Sequence, residues 1–522
     1  MTKKFKILLA GLLLGVCAIQ PIGAAFAAAA AGEEAPASRP AESNTVSAES
    51  SWTPEQIDAY AEAAMERLHI PGLAIGIVRG GEVLYTQGYG SAGPGAGPMT
   101  PQTPLPIGST TKSFTALAVM QLVEDGRIDL NAPVADYLPD FRLADAAASG
   151  RITVADLLHQ TSGLSTYDGV AFLGEGNGTL MQHVRSLKRV SQTQPAGAGY
   201  QYSNLNYNIL GAIVQQVSGE TYGDYIEERI MRPLEMNDSF SSPERAAVRL
   251  SEHSELRPPS GHQPVFGLTV PTRLMHHSGT VPSGYLVSTA EDMSKYLIMQ
   301  MNGGTMGGTR LLSEDGIQRM HAPAADMGGG SFYGMGWVSA GDSLSHNGTT
   351  ENTYSEMRIR DGYGFFVLAN SVDPLIVSYA GILPGLDDLV HGQTPALDSL
   401  PDFVKLYAIA DSAVVVMALL FAWSVRSLFR WRKAFRPAPW KIALNTVLLL
   451  VCNAAFPLLL LRFVSGLAPW NVVVTWAPGI GWGLAGLPWL LFATGAIKLA
   501  LMLAAIAGRK RTVPAVPESR AA

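Results

Sequence analysis

Ser109 and Lys112 stand three residues apart in Pro106-Ile107-Gly108-Ser109-Thr110-Thr111-Lys112-Ser113-Phe114, directly ahead of an apolar run over 114–122. If that run is a helix, its first turn sets both side chains on one face, and its N-terminus stabilises developing negative charge. A serine hydroxyl is a poor nucleophile at neutral pH and needs an adjacent base. A lysine becomes that base only when burial or nearby positive charge depresses its pKa. The pattern is short, and its bland alternative is a serine cap beside a surface lysine. Two further segments add weight. Tyr200-Gln201-Tyr202-Ser203-Asn204 follows Gly197 and Gly199 and puts Tyr-x-Asn on a loop entering a helix. Ser345-His346-Asn347-Gly348-Thr349 falls where a late strand is expected. None of the ten histidines has the HExxH spacing, and two cysteines exclude a Cys-rich zinc site or a disulfide scaffold. No metal and no cofactor are expected.

These segments need elements to hold them. Thr53-Pro54-Glu55-Gln56 has the composition of a capping box, with Pro at the first helical position. Ile57, Tyr60, Ala61, Ala64, Met65 and Leu68 then recur at helical spacing. Residues 73–78 and 82–87 are β-rich around Gly80-Gly81, a hairpin. Helices are expected at 110–125, 153–160, 204–218, 222–231 and 290–302, and strands at 333–339, 354–360 and 364–369. This order predicts an α+β unit over 53–395, an antiparallel sheet with helices packed around it. Gly88-Tyr89-Gly90-Ser91-Ala92-Gly93 matches a dinucleotide-binding fingerprint, but Pro94, Pro98, Pro101 and Pro104 follow instead of a helix. It reads as a loop.

The 522 residues allow two to four units, and 47% are apolar. Only 15% are charged, against roughly 25% on average, and the mean hydropathy is +0.16. Charge is zoned. Residues 1–31 carry three lysines and no acid, 401–522 carry 13 basic and 3 acidic residues, and 32–400 carry 21 basic and 40 acidic, a net −19. The acidic body argues against nucleic-acid binding and disfavours anionic substrates. Residues 1–30 read as a signal peptide and 31–52 as a disordered leader; Val16 before Cys17 speaks against a lipid-attachment box. Three runs at about 406–425, 442–461 and 487–507, within 404–508, are each long enough to cross ~30 Å of hydrocarbon. Arg426, Arg430, Arg432, Lys433, Arg436 and Lys441 lie between the first two, and Arg509, Lys510 and Arg511 follow the third. The positive-inside rule then puts that loop and the 509–522 tail in the cytoplasm and the acidic body outside. Asp411 and Lys498 fall within spans, and a pairing between them is the bland account.

The order SxxK, YxN, HxG resembles the serine β-lactamase and penicillin-binding-protein superfamily, and within it the class C β-lactamase or S12 peptidase branch. Leu157-Leu158-His159-Gln160-Thr161-Ser162-Gly163-Leu164 looks like that branch's LLxHTSGL segment, with His159 and Gln160 departing from the usual order before Thr161. Residues 222–236 and 283–293 look like it too, so the likeness covers about 53–390. The resemblance implies an acyl-enzyme on Ser109, with Lys112 and Tyr202 sharing general-base and proton-shuttle work. It implies an oxyanion hole from the backbone N–H groups of Ser109 and Thr349, each donor worth roughly 3–4 kcal/mol. Asn204 would bond the substrate amide or Lys112. Relatives that take penicillin usually have Lys where His346 stands, and a neutral His weakens the case for carboxylate-bearing ligands.

A signal peptide, an S12-like domain outside and three C-terminal spans look like the prodrug-activating peptidases of the colibactin-maturation type, which remove an N-acyl-D-asparagine cap. That resemblance implies a D-Asn pocket containing Asn347 and His276 or His277, upstream of Pro282-Ser283-Gly284, beside His346 and Gly348 of the same strand. A carboxamide recognising a carboxamide discriminates well, because analogues leave it unpaired. Asn204 stands where that group has Ser. The expected partners are a small peptide or acyl-peptide substrate and membrane lipid, with no nucleic acid and with a homodimer open. Alternatives are a cell-envelope DD-peptidase, a D-aminopeptidase or an esterase of the same family, and outside the enzymes a penicillin-type sensor. The expected location is the cytoplasmic membrane, multi-pass, with the catalytic domain extracytoplasmic.

Overall fold

Gln56 Oε1 accepts the Thr53 N–H at 2.8 Å, and Pro54 opens helix α1, Pro54–Leu68. The structure, a computed structural model, describes residues 52–175, 177–253 and 257–510. The signal peptide, the leader up to residue 51 and the tail from 511 lie outside the described residues. Trp52, assigned above to the leader, is buried edge-on against Tyr85 and belongs to the domain. Its indole has more to gain from the core than from water.

Among the described residues the main sheet has nine strands. They are β1 (Gly72–Arg79), β2 (Glu82–Gly93), β3 (Gly97–Pro98), β4 (Ala325–Gly328), β5 (Ser331–Tyr333), β6 (Val338–Ala340), β7 (Ser343–Thr349), β8 (Tyr354–Arg360) and β9 (Tyr363–Ala369). Their order is β4-β5-β6-β7-β8-β9-β1-β2-β3, antiparallel throughout. β1 sits deep in the sheet, and its side chains alternate between two cores. Leu73, Ile75 and Ile77 join α1 and the helix Ile382–Val390 on one face. Ala74 and Val78 join helix α2 (Thr111–Glu124) and helix α3 (Asn204–Ser218) on the other. α2 is buried nearly all round, which is why its sequence lacks a polar stripe.

Two local expectations are corrected. The glycine-rich segment 88–93 is the end of β2, not a loop: a Cβ at Gly88 would lie 2.5 Å from Met99 O, and one at Gly90 2.2 Å from Pro71 O. The glycines serve backbone packing. The strand expected at 333–339 is broken into β5 and β6, because Gly336 (φ +74°) turns the chain against the backbone of Lys112 and Ser113.

Three helical stretches, Leu397–Lys433, Pro439–Leu467 and Ile480–Ala507, are long and apolar enough to cross a membrane. The uncharged segment between the second and third holds a short helix, Trp470–Trp476, that the sequence had not suggested. Its Val472, Val473 and Trp476, with Leu460 and Val464, pack into the core that holds α2 and α3, while Phe403 and Tyr407 of the first stretch join the other. Asp411 and Lys498 do not pair. Asp411 Oδ2 comes within 3.0 Å of where a Gly267 Cβ would stand, and Lys498 Nζ lies 5.9 Å from the Trp431 ring centroid.

Candidate active site

Ser109 occupies a single 3-10 turn, Gly108–Thr110, that runs straight into α2. Two glycines let this turn touch β7 backbone to backbone. Gly108 has φ +56°, and a Cβ on it would meet Thr349 N at 2.3 Å. A Cβ on Gly348 would meet Ile107 O at 2.1 Å and Ser109 N at 2.9 Å. Only glycine fits either position, and the result is that the Ser109 and Thr349 amides lie side by side. Ile107 O is held by Thr110 Oγ1 at 2.7 Å and Ser355 Oγ at 2.6 Å, which fixes the approach.

Lys112 is wholly buried. Its Nζ is 2.9 Å from Ser109 Oγ, 2.9 Å from Asn204 Oδ1 and 2.5 Å from Ser283 O. Burial pulls its pKa well below the ordinary lysine value. The partners then sort themselves. Asn204 Oδ1 and Ser283 O can only accept, so each takes an N–H bond from Lys112. The third contact of Nζ is Ser109 Oγ, so once Lys112 is deprotonated its lone pair is what faces that hydroxyl. Tyr202 OH donates to Ser109 Oγ at 2.9 Å. Burial raises the Tyr202 pKa above the ordinary phenol value, and the Ser109 contact offsets only part of this. This arrangement would let a deprotonated Lys112 act as a base toward Ser109 with Tyr202 as a hydrogen-bond donor.

The Tyr202–Asn204 turn is held from behind by Gln160, in the segment where the family pattern was broken. Gln160 is buried with φ +59°. Its Oε1 accepts from Ser203 N at 2.9 Å and from Asn206 Nδ2 at 2.5 Å, and its O accepts from Gln201 N at 2.8 Å.

His346 Nδ1 lies 2.6 Å from Asn347 O, which can only accept, so Nδ1 carries the proton; this tautomer is assigned from the partners. Nε2 faces Tyr333 OH at 3.3 Å. Burial, with a smaller push from Lys112 whenever that amine is protonated, brings the His346 pKa to about 3, so the ring is neutral at pH 7. Tyr333, in Tyr333-Gly334-Met335-Gly336-Trp337, was missed in the sequence; the Gly-flanked aromatic was its only signal. Asn347 is buried, and its Oδ1 has no hydrogen-bond partner.

The two adjacent histidines have their own partners, none of them Ser109, Lys112 or Tyr202. His276 is exposed, 3.8 Å from Glu244. His277 is fully buried, with Nε2 2.7 Å from Glu351 Oε1 and its ring stacked at 3.5 Å on Tyr285. An imidazole paired with a buried carboxylate and covered by a ring has no face left for substrate.

Residues 57–378 match the family model described as Beta-lactamase. The chain belongs to the beta-lactamase family. Its members are serine hydrolases, and the fold described above is theirs. Protein flp of Staphylococcus aureus (strain MW2) is 26% identical over 443 residues, covering 81% of this chain and 86% of that protein. Penicillin-binding protein 4 of Amycolatopsis lactamdurans is 30% identical over 310 residues, 57% of this chain and 79% of that one. The octameric penicillin-binding protein homologue from Pyrococcus abyssi superimposes with a TM-score of 0.55 at 28% identity, covering 65% of this chain and 78% of that one.

Proposed function

We propose that this beta-lactamase-family chain is a membrane-bound serine peptidase that forms an acyl-enzyme on Ser109. The observation that carries the reading is the set of three partners around Lys112 Nζ, which leaves one lone pair for one hydroxyl. As Ser109 Oγ attacks the carbonyl carbon, its proton passes to Lys112 Nζ, and the oxygen that becomes negative is met by the Ser109 and Thr349 amides. Collapse breaks the bond to the leaving amine or alcohol, which takes the proton back through Tyr202. Water then releases the acyl group by the same transfers in reverse.

The substrate in this reading is an N-acyl-D-Asn-type amide on a secreted peptide or prodrug precursor. A neutral His346 offers no cation to a substrate carboxylate. The unpartnered Oδ1 of Asn347 has an acceptor to spare for a carboxamide N–H. The placement is the cytoplasmic membrane with the catalytic domain outside. Phe403, Tyr407 and the Trp470–Trp476 helix, which touch the domain, stand at the span ends opposite the arginine-rich loop.

The second reading is a cell-envelope DD-peptidase, D-aminopeptidase or esterase. It is favoured by His276 and His277 being engaged with Glu244 and with Glu351 and Tyr285, which leaves Asn347 without the histidine partner of the first reading. Hydrolysis of paired N-acyl-D-Asn and N-acyl-L-Asn amides by the solubilised full chain, with Ser109→Ala as control, separates the two. D-selective cleavage lost in Ser109→Ala supports the first. No cleavage by protein that still labels at Ser109 with a fluorophosphonate discards the substrate and keeps the hydrolase.

A further inference from the structure

The spans touch the catalytic domain at a hairpin that no step above uses. It pairs His262–Val265 with Leu268–Pro271. Its base is bonded to the turn that follows Thr349. His262 N donates to Asn352 O at 3.0 Å, and Asn352 Nδ2 donates to Thr272 O at 3.0 Å. A Cβ on Gly261 would lie 2.3 Å from Asn352 Cγ, so the two segments are in tight contact. The turn itself is locked. Thr350 Oγ1 accepts from Asn352 N at 3.3 Å and Thr353 N at 3.1 Å, and Thr353 Oγ1 donates to Pro106 O, three residues before Ser109, at 2.7 Å.

Beside that base and at the tip, the hairpin meets the segments that lead into or form two of the spans. Buried Gln263 donates from Nε2 to Thr475 O at 2.7 Å and Trp476 O at 3.2 Å, the last carbonyls of the short helix that leads into the third span. At the tip, Gly267 (φ +70°) lets the first span approach, and a Cβ there would stand 3.0 Å from Asp411 Oδ2 and 3.2 Å from Tyr407 Cβ. Gly479, just before the third span, packs against Phe266 N. So hydrogen bonds run from the short helix ahead of the third span, through Gln263, His262 and Asn352, to the turn that follows Thr349, while the first span and Gly479 meet the hairpin tip by packing.

We propose that the 262–271 hairpin is a strut through which the membrane helices set the position of the Thr349 amide, with Gln263 and Gly267 as positioning residues. This rests on the acyl-enzyme reading. The spans then contribute to catalysis as well as to anchorage. A hydrogen-bond donor displaced by a fraction of an ångström loses much of its worth in a transition state, and a 1 Å misplacement costs about a hundredfold.

The test uses full-length protein in nanodiscs, as parent, Gln263→Leu and Gly267→Val. Pre-steady-state turnover of an uncharged ester, p-nitrophenyl acetate, gives a burst amplitude that counts working sites and a rate constant per site. The strut requires an acylation rate constant lowered about tenfold or more in both variants, with KM within a factor of two and the pH profile of Lys112 unmoved. A merely structural role would lower the amplitude and leave the rate constant alone, and molecules that fail to fold drop out of the rate. Unchanged rate constants in both variants, with an active parent, overturn the strut and leave the hydrolase standing. A parent with no burst and no fluorophosphonate label at Ser109 overturns both.

Discussion

Replacing Asn204 by Asp sets a carboxylate where a neutral oxygen now stands, 2.9 Å from Lys112 Nζ. Both positions are buried, so solvent screens little of the new charge. At an effective dielectric of about 20, a unit charge at that 2.9 Å distance favours the ammonium form by about 6 kcal/mol. Desolvation of the new carboxylate takes back part of this. If only about a third survives, the neutral lysine at a given pH falls about thirtyfold, since each 1.36 kcal/mol is tenfold. The expected sign is therefore loss at neutral pH with recovery as pH rises, because the base must shed its proton before it can act. The assay is kcat/KM for an uncharged activated ester between pH 5 and 10 in the parent, Asn204→Asp and Asn204→Leu. Asn204→Leu removes the acceptor without adding charge, so its acid limb stays where the parent has it or moves lower. A uniform loss in Asn204→Asp with the limb unmoved refutes Lys112 as the titrating base.

Gly348→Ala drives a methyl into Ile107 O, so it costs activity by at least about a hundredfold if the two amides separate by an ångström, measured as fluorophosphonate labelling rate of folded protein. Tyr202→Phe removes the donor to Ser109 Oγ but leaves Lys112 in place; turnover falls about a hundredfold or more while the acid limb of its pH profile stays put. Burial holds His183 and His321 each to a pKa of about 4, so the unfolded chain binds more protons than the folded one below about pH 6.5. Their stability contribution is complete above about 6.5 and is lost as pH falls toward 4; thermal melts across that window should show His183→Gln and His321→Gln flattening the decline.

The chemistry was legible because it is local. Ser109 and Lys112 meet within one helical turn, Tyr202 and Asn204 flank one helix start, and the His346–Thr349 segment is one strand. Each motif carries its own geometry, whatever the rest of the chain does. What escaped the sequence depends on partners far away in the chain. Nothing near His277 says that Glu351 will bury it, and nothing near Gln160 says that it will carry the Tyr202 turn. The glycines at 88 and 90 read as a loop until Met99 and Pro71 arrive beside them. The helix at 470–476 was hidden for another reason: a Trp-rich, uncharged segment beside a span is equally at home in lipid or against protein, and only the exposed apolar wall of the domain decides.

Both cores of the catalytic domain close on side chains from beyond residue 400: Phe403 and Tyr407 on one face, Val472, Val473 and Trp476 on the other. A ribosome that has finished the helix ending at Val390 has already made Ser109, Lys112, Tyr202 and Thr349, yet not the residues that seal either face. One face stays open until the first apolar stretch is made, and the other until the segment between the second and third. Completion of the domain is then timed by synthesis of its apolar C-terminal part, and a version cut at residue 400 would present two unfinished hydrophobic surfaces to water.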